Sequence, residues 1–160
     1  MDPDPRKQVM RMFSYGVYLL TVRSGQEVAA STVTWVAQAS FDPLRIMLAI
    51  NRDSRSHALL EAAGTCALLL IGDDQTEIAA MFFKAPVIEG GTLSGYAFHD
   101  GEATGAPILD AVPAWLEAKV VGRVAGGDHT VIVADVIGVG IQDPEAGALA
   151  LRDTPWHYGG

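Results

Sequence analysis

Residues 115–139 read WLEAKVVGRVAGGDHTVIVADVIGV, and the fold turns on how that stretch is read. Two apolar, β-branched runs, Trp115 to Val124 and Thr130 to Val139, flank Gly126-Gly127-Asp128. A glycine-rich turn between two such runs predicts a long antiparallel hairpin. The same grammar recurs outward from it. Val17 to Val22 and Glu27 to Thr34 enclose Ser24-Gly25-Gln26, which predicts a second hairpin. Arg45 to Ile50 is a short apolar strand after the stiff Asp42-Pro43 break, and Thr65 to Ile71 reads as another buried strand. A last short strand is expected over Leu149 to Leu151.

Three segments have helical spacing instead. Pro5 to Ser14 places Val9, Met12 and Phe13 three and four apart. Ser56 to Ala63 reads as a short helix stopped by Gly64. Gln75 to Phe83 repeats apolar residues at Ile78, Ala79, Phe82 and Phe83. Ala85 to Pro107 is rich in Gly, Pro and Thr and is expected to be a long loop with little regular structure. Six or seven mostly antiparallel strands with two or three short helices predict a mainly β fold. A closed or partly closed barrel would remove the exposed strand edges. Strands do not alternate with long helices, which argues against a doubly wound α/β fold.

The chain has 160 residues, the size of one ordinary domain, and we expect residues 1–160 to form one. Its 19 acidic residues exceed its 11 basic ones, for a net charge of −8. Such a chain is repelled by phosphate backbones and anionic membrane surfaces, so neither nucleic acid nor a membrane is an expected partner. Cys66 is the single cysteine, which excludes an intramolecular disulfide and suits a reducing compartment. The N-terminal Met-Asp-Pro-Asp-Pro-Arg-Lys lacks a signal's apolar stretch. No apolar run approaches the roughly 18 residues a membrane helix needs. A cytoplasmic protein is the expectation.

Thr32-Val33-Thr34-Trp35-Val36-Ala37-Gln38-Ala39-Ser40-Phe41-Asp42-Pro43, followed by the apolar strand from Arg45, resembles the signature of the flavin reductase-like family. Gly16 to Thr21 is similar to that family's opening Gly-Val strand. Gly127-Asp128-His129 with Val131 to Val136 is similar to its Gly-Asp-His turn and returning strand. Trp156-His157-Tyr158-Gly159-Gly160 is similar to its terminal His/Tyr-Gly segment. The set runs in the right order along nearly the whole chain. It departs from the family where Leu44 replaces a frequent second proline. The resemblance implies an FMN-binding split barrel with Greek-key-like antiparallel strands. It implies an NAD(P)H-dependent flavin reductase that moves hydride from a nicotinamide to flavin N5, with FMN preferred and FAD possible. It further implies a homodimer that passes reduced flavin to an oxygenase or other acceptor.

A flavin site needs a flat apolar slot, donors to the ring, and cations or amides for the phosphate. Thr32, Thr34, Gln38 and Ser40 offer donors, while Trp35 and Val36 offer wall. On the residues alone, a threonine-rich strand with ordinary side-chain hydrogen bonds fits equally well. Asn51, Ser54, Arg55, Ser56 and His57 join a strand end to a helix start, where free N–H groups and a positive dipole end favour an anion. Ser54 or Ser56 also suits a plain N-cap. Lys84 ends a helical stretch, and could reach the phosphate or simply complement the helix dipole. The resemblance suggests His129 as a residue beside the nicotinamide or flavin edge, though an exposed turn histidine fits too. It also brings the terminal His157-Tyr158 tail near the flavin, where it could close the site. No metal site is expected.

No carboxylate pair, nucleophile–base set, Gly-x-Gly-x-x-Gly or Gly-x-Ser-x-Gly is present. Hydride transfer between two cofactors requires none of them. A non-enzymatic FMN electron carrier, a split-barrel oxidoreductase using another cofactor, and a cofactor-free interaction domain remain as alternatives. Coverage of the flavin face by Ala85–Pro107 and His129 would favour the carrier.

Overall fold

A computed structural model describes residues 4–159. Met1–Pro3, where the signal-peptide reading begins, and Gly160, the last residue of the terminal motif, lie outside the described residues. The expected first hairpin is β1 (Tyr18–Ser24) and β2 (Glu27–Val33), in unbroken register from Tyr18↔Val33 to Ser24↔Glu27. Gly25, at φ 61°, supplies the left-handed position its two-residue turn needs. The long hairpin is β10 (Ala114–Val124) and β11 (His129–Ile141). Two irregularities, at Glu117/Ala118 and Val120/Gly122, add bend to it.

With β3 (Val36–Ser40), β4 (Arg45–Asn51) and β5 (Thr65–Leu70), these strands form one antiparallel sheet in the order β2-β1-β5-β10-β11-β4-β3. Its two edge strands, β2 and β3, are separated in the chain only by Thr34 and Trp35. The sheet must therefore curl until its two edges approach, which makes a split barrel with one seam.

At β1 and β5 its walls are buried on both faces. Leu20, Ala29, Leu48, Cys66, Leu68 and Ile132 fill the interior with Leu59 and Leu60 of α2 (Arg55–Ala63). Leu19, Ala67, Leu69 and Ile71 point the other way, against Ile78 and Phe82 and the inner residues Leu93, Ile108 and Leu109. This is why β1 and β5 read as continuous apolar runs. Burial pushes the Cys66 thiol up to about 12, the state of an inert structural cysteine.

Three expectations are corrected. Residues 85–107 are not an irregular loop but carry most of a second four-stranded antiparallel sheet: β6 (Ile88–Glu89), β7 (Thr92–Leu93), β8 (Tyr96–Asp100) and β9 (Pro107–Leu109). Turns at Gly90, Ser94 and Gly95, all at positive φ, set its hairpins. The expected last strand over Leu149–Leu151 is only a pair of isolated bridges, Gly16↔Ala150 and Gly72↔Ala148, running into a 3-10 turn at Leu151–Asp153. The first helix, α1 (Pro5–Arg11), ends three residues early and buries no residue.

The other helices fall where expected. α2 is capped by Ser54, whose Oγ accepts from His57 N at 3.1 Å, and stops at left-handed Gly64. α3 (Thr76–Met81) covers the free edge of β2, where Thr32 N donates to Phe82 O. No helix among the described residues is long and apolar enough to cross a membrane.

Candidate functional site

The end of β2, the end of β4, the start of α2 and the residues after α3 converge on one cleft of about 500 Å³. Val17, Val33, Ile50, Phe82, Phe83 and Trp156 give it apolar walls. Among the described residues no carboxylate, lysine or arginine lines it. A slot of this size and character suits a flat, uncharged aromatic ring.

Five sequence-predicted residues meet there: Thr32, Thr34, Asn51, Ser54 and His157. Their polar atoms are not equally free. The Thr32 hydroxyl donates to Ala79 O at 2.7 Å. Asn51 Oδ1 accepts from Asp53 N, and the Ser54 hydroxyl donates to Asn51 O. Thr34 differs: its Oγ1 is buried and has no hydrogen-bond partner among the described residues. A buried hydroxyl left unpaired costs about 1–3 kcal/mol. Its natural complement is a ligand acceptor or donor in the cleft. The apolar slot, this hydroxyl and the capped start of α2 fit a flavin.

The remaining predicted residues lie elsewhere. Ser56 is buried beneath the cleft, sharing a 2.7 Å hydrogen bond with Ser31. His57 Nε2 meets Thr130 Oγ1 at 2.9 Å. Arg55 turns outward, 4.0 Å from Glu27. Val36 packs on the interior core. Gln38 and Ser40 sit further along β3 and hydrogen-bond each other, and Lys84 is exposed beyond Phe83.

His129 is held behind the cleft rather than in its lining. Its Nδ1 is 2.8 Å from Asp128 Oδ1 and its Nε2 2.6 Å from the Tyr158 hydroxyl. An ionised Asp128 only accepts, so Nδ1 carries the proton and Nε2 accepts from Tyr158. Trp35 stacks on both rings, with centroids 4.5 Å from His129 and 5.1 Å from Tyr158. The hydrogen bond to His129, and secondly the positive charge of that ring in its protonated form, hold the Asp128 carboxyl below its usual range. Burial, and secondarily the Asp128 charge, raise the Tyr158 phenol.

Tyr158 belongs to a tail that forms one wall of the cleft. Trp156 of the same tail meets Phe83 edge-on at 4.7 Å. Sequence reasoning missed Val17, Phe82, Phe83 and Trp156 as site residues, whereas it had placed the His157-Tyr158 tail near the flavin. Phe82-Phe83 carried a usable signal, because two adjacent aromatics at a helix end cannot both face one core. Phe82 is buried, and Phe83 is 58% exposed.

The family model of the flavin reductase like domain matches residues 10–157. The chain is 28% identical over 144 residues to an NADH:FMN oxidoreductase of Rhodococcus qingshengii, covering 90% of this chain and 73% of that one. It is 26% identical over 136 residues to diflavin flavoprotein A 1 of Synechocystis, covering 85% of this chain. It spans about a quarter of the length of such diflavin relatives. Among solved structures, the NADH:FAD oxidoreductase of Streptomyces globisporus superposes with a TM-score of 0.78 at 25% identity, covering 94% of this chain and 91% of that one. The flavin reductase of the Pseudomonas putida styrene monooxygenase gives 0.75 at 28% identity, covering 92% and 91%. On the match over residues 10–157, the chain belongs to the flavin reductase like domain family.

Proposed function

We propose that the chain is an NAD(P)H-dependent flavin reductase, an oxidoreductase that binds FMN in the cleft at the barrel seam and releases reducing equivalents to an acceptor. The observation that carries this reading is the unpaired Thr34 hydroxyl, buried in an apolar, uncharged slot of flavin size. When bound, flavin supplies the hydride-accepting chemistry.

The chain's own residues position and shield. Phe82, Phe83, Trp156, Val17 and Ile50 line the slot and exclude water from it. Thr34 offers its hydroxyl to a polar edge of the ring. Ser54 and the first N–H groups of α2 would hold a ribityl phosphate, because the helix dipole favours an anion there. Arg55 and Lys84 are left as longer-range cations. His129 orients Tyr158 through their hydrogen bond, so it acts on the site through that phenol.

No residue of 84–148 lines the cleft, so the segment that would have blocked nicotinamide access in a carrier stands clear of it. That observation favours the reductase over the carrier. We further place the chain, as one domain, in a reducing cytoplasm. A homodimer is the proposed assembly, because Ile137, Val139 and Ile141 leave one face of β11 apolar and exposed. An oxygenase is the proposed acceptor.

The test is the visible spectrum of the protein with one equivalent of FMN, before and after anaerobic NADH and then NADPH. A bound flavin whose absorption band bleaches with a nucleotide is expected. A flavin that bleaches only with dithionite would point to the carrier, and no binding would remove the flavin reading.

A further inference from the structure

The chain has eight arginines, and six of them reach a carboxylate within 4.0 Å: Arg6, Arg23, Arg45, Arg52, Arg55 and Arg123. Among the described residues, the other two, Arg11 and Arg152, form no ion pair. Both line the same second pocket, of about 400 Å³. In a chain with net charge −8, two arginines without an ion pair lining one hollow make a local reversal of sign. Among the described residues no carboxylate lines this hollow, and Arg11 makes a long contact of 3.4 Å with Gly159 O. Phe13 and Tyr15 give it aromatic walls, with their centroids 6.2 Å apart.

Its position is as informative as its charge. Leu151, Trp156, His157 and Tyr158 line both this pocket and the flavin cleft. The tail is thus a partition with an uncharged slot on one side and a cationic, aromatic-walled hollow on the other. A ligand spanning the two would have an uncharged flat ring at one end, a diphosphate beyond it, and a second flat base.

We propose that the Arg11–Arg152 pocket is a binding site for an adenosine diphosphate group, with the phosphates on the two guanidinium groups and the adenine against Phe13 and Tyr15. This rests on the flavin reductase reading for the ligand's identity, since both a nicotinamide dinucleotide and FAD carry that group. Arginine binds phosphate in bidentate fashion, and its weak hydration suits a half-exposed site.

The probe is ADP-ribose, which has no redox-active ring, titrated calorimetrically into wild type and the Arg11→Gln/Arg152→Gln double variant. FMN and FAD affinities are measured on both proteins by flavin fluorescence. Both arginines are exposed, so the variant is expected to fold. The proposal expects ADP-ribose to bind wild type, weaken at least tenfold in the variant and weaken with added salt, while FMN affinity changes less than twofold. If FAD weakens in parallel and ADP-ribose competes with it, the group held is the flavin's. If FAD affinity is unchanged and the KM for NADH or NADPH rises, it is the nicotinamide nucleotide's. Absent ADP-ribose binding, or equal binding by the two proteins, overturns the site. Loss of FMN binding in wild type would instead strike the functional reading, and leaves the ADP-ribose result standing on its own.

Discussion

Thr34 has opposite consequences for the protein with and without its ligand. Its unpaired hydroxyl destabilises the ligand-free fold, so Thr34→Val should raise ligand-free stability by about 1 kcal/mol in urea unfolding. The same change should weaken FMN about five- to tenfold, and equal signs in the two measurements would contradict its role. The Asp128–His129–Tyr158 chain makes a second residue-scale expectation. Asp128 is held below its ordinary value, so its contribution to tail docking is present above pH 3.8 and fades as pH falls through the lowered value. Tyr158 is raised, so its contribution is present below pH 10.0 and is lost as pH rises through the raised value. The His129 ring signals in NMR should therefore inflect at both extremes, and Tyr158→Phe should erase only the alkaline inflection. At this scale the sequence was partly legible. Residue type marked Thr34 and Ser54, because a hydroxyl near a strand end or helix start has few roles. It did not separate them from Gln38 and Ser40, whose distance from the cleft depends on the register of β3 against β4.

Helix α2 separates stability from binding in a single element. Gly64 sits at φ 71° with open space where a Cβ would stand. Gly64→Ala should cost about 1 kcal/mol by strain alone, leaving FMN affinity unchanged. Ser54→Ala should cost a similar amount through the lost cap, and should also weaken FMN because Ser54 faces the cleft. Thermal melts and FMN titrations on both variants would check the contrast. The elements that were legible share a cause. β1, β5, β10 and β11 are long, and their apolar runs reflect burial that the pattern of side chains records directly. β6 and β7 are two residues each, too short for any alternation to register. β3 was read through because three of its five residues are exposed.

Over the whole molecule, the unsolved surface is the outer face of the long hairpin. Val139 and Ile141 are 70% and 67% exposed, and stand on the same face as Ile137. The proposed dimer would cover them. Sedimentation should show twice the 16.9 kDa chain mass for wild type, and Val139→Asp/Ile141→Asp should return it to a single mass with the native circular dichroism spectrum intact. A wild-type monomer would leave that face for another partner.

The tail between the two hollows has a thermodynamic corollary. It is pinned by Tyr158 to His129 and Trp35, by Trp156 to Phe83, and by Gly159 O to Arg11. Any occupant that shifts it on one side alters the space on the other. Linkage then demands reciprocity: whatever factor flavin imposes on ADP-ribose affinity, ADP-ribose must impose on flavin. The partition thereby becomes a coupler, and its strength can be read as one number from either direction.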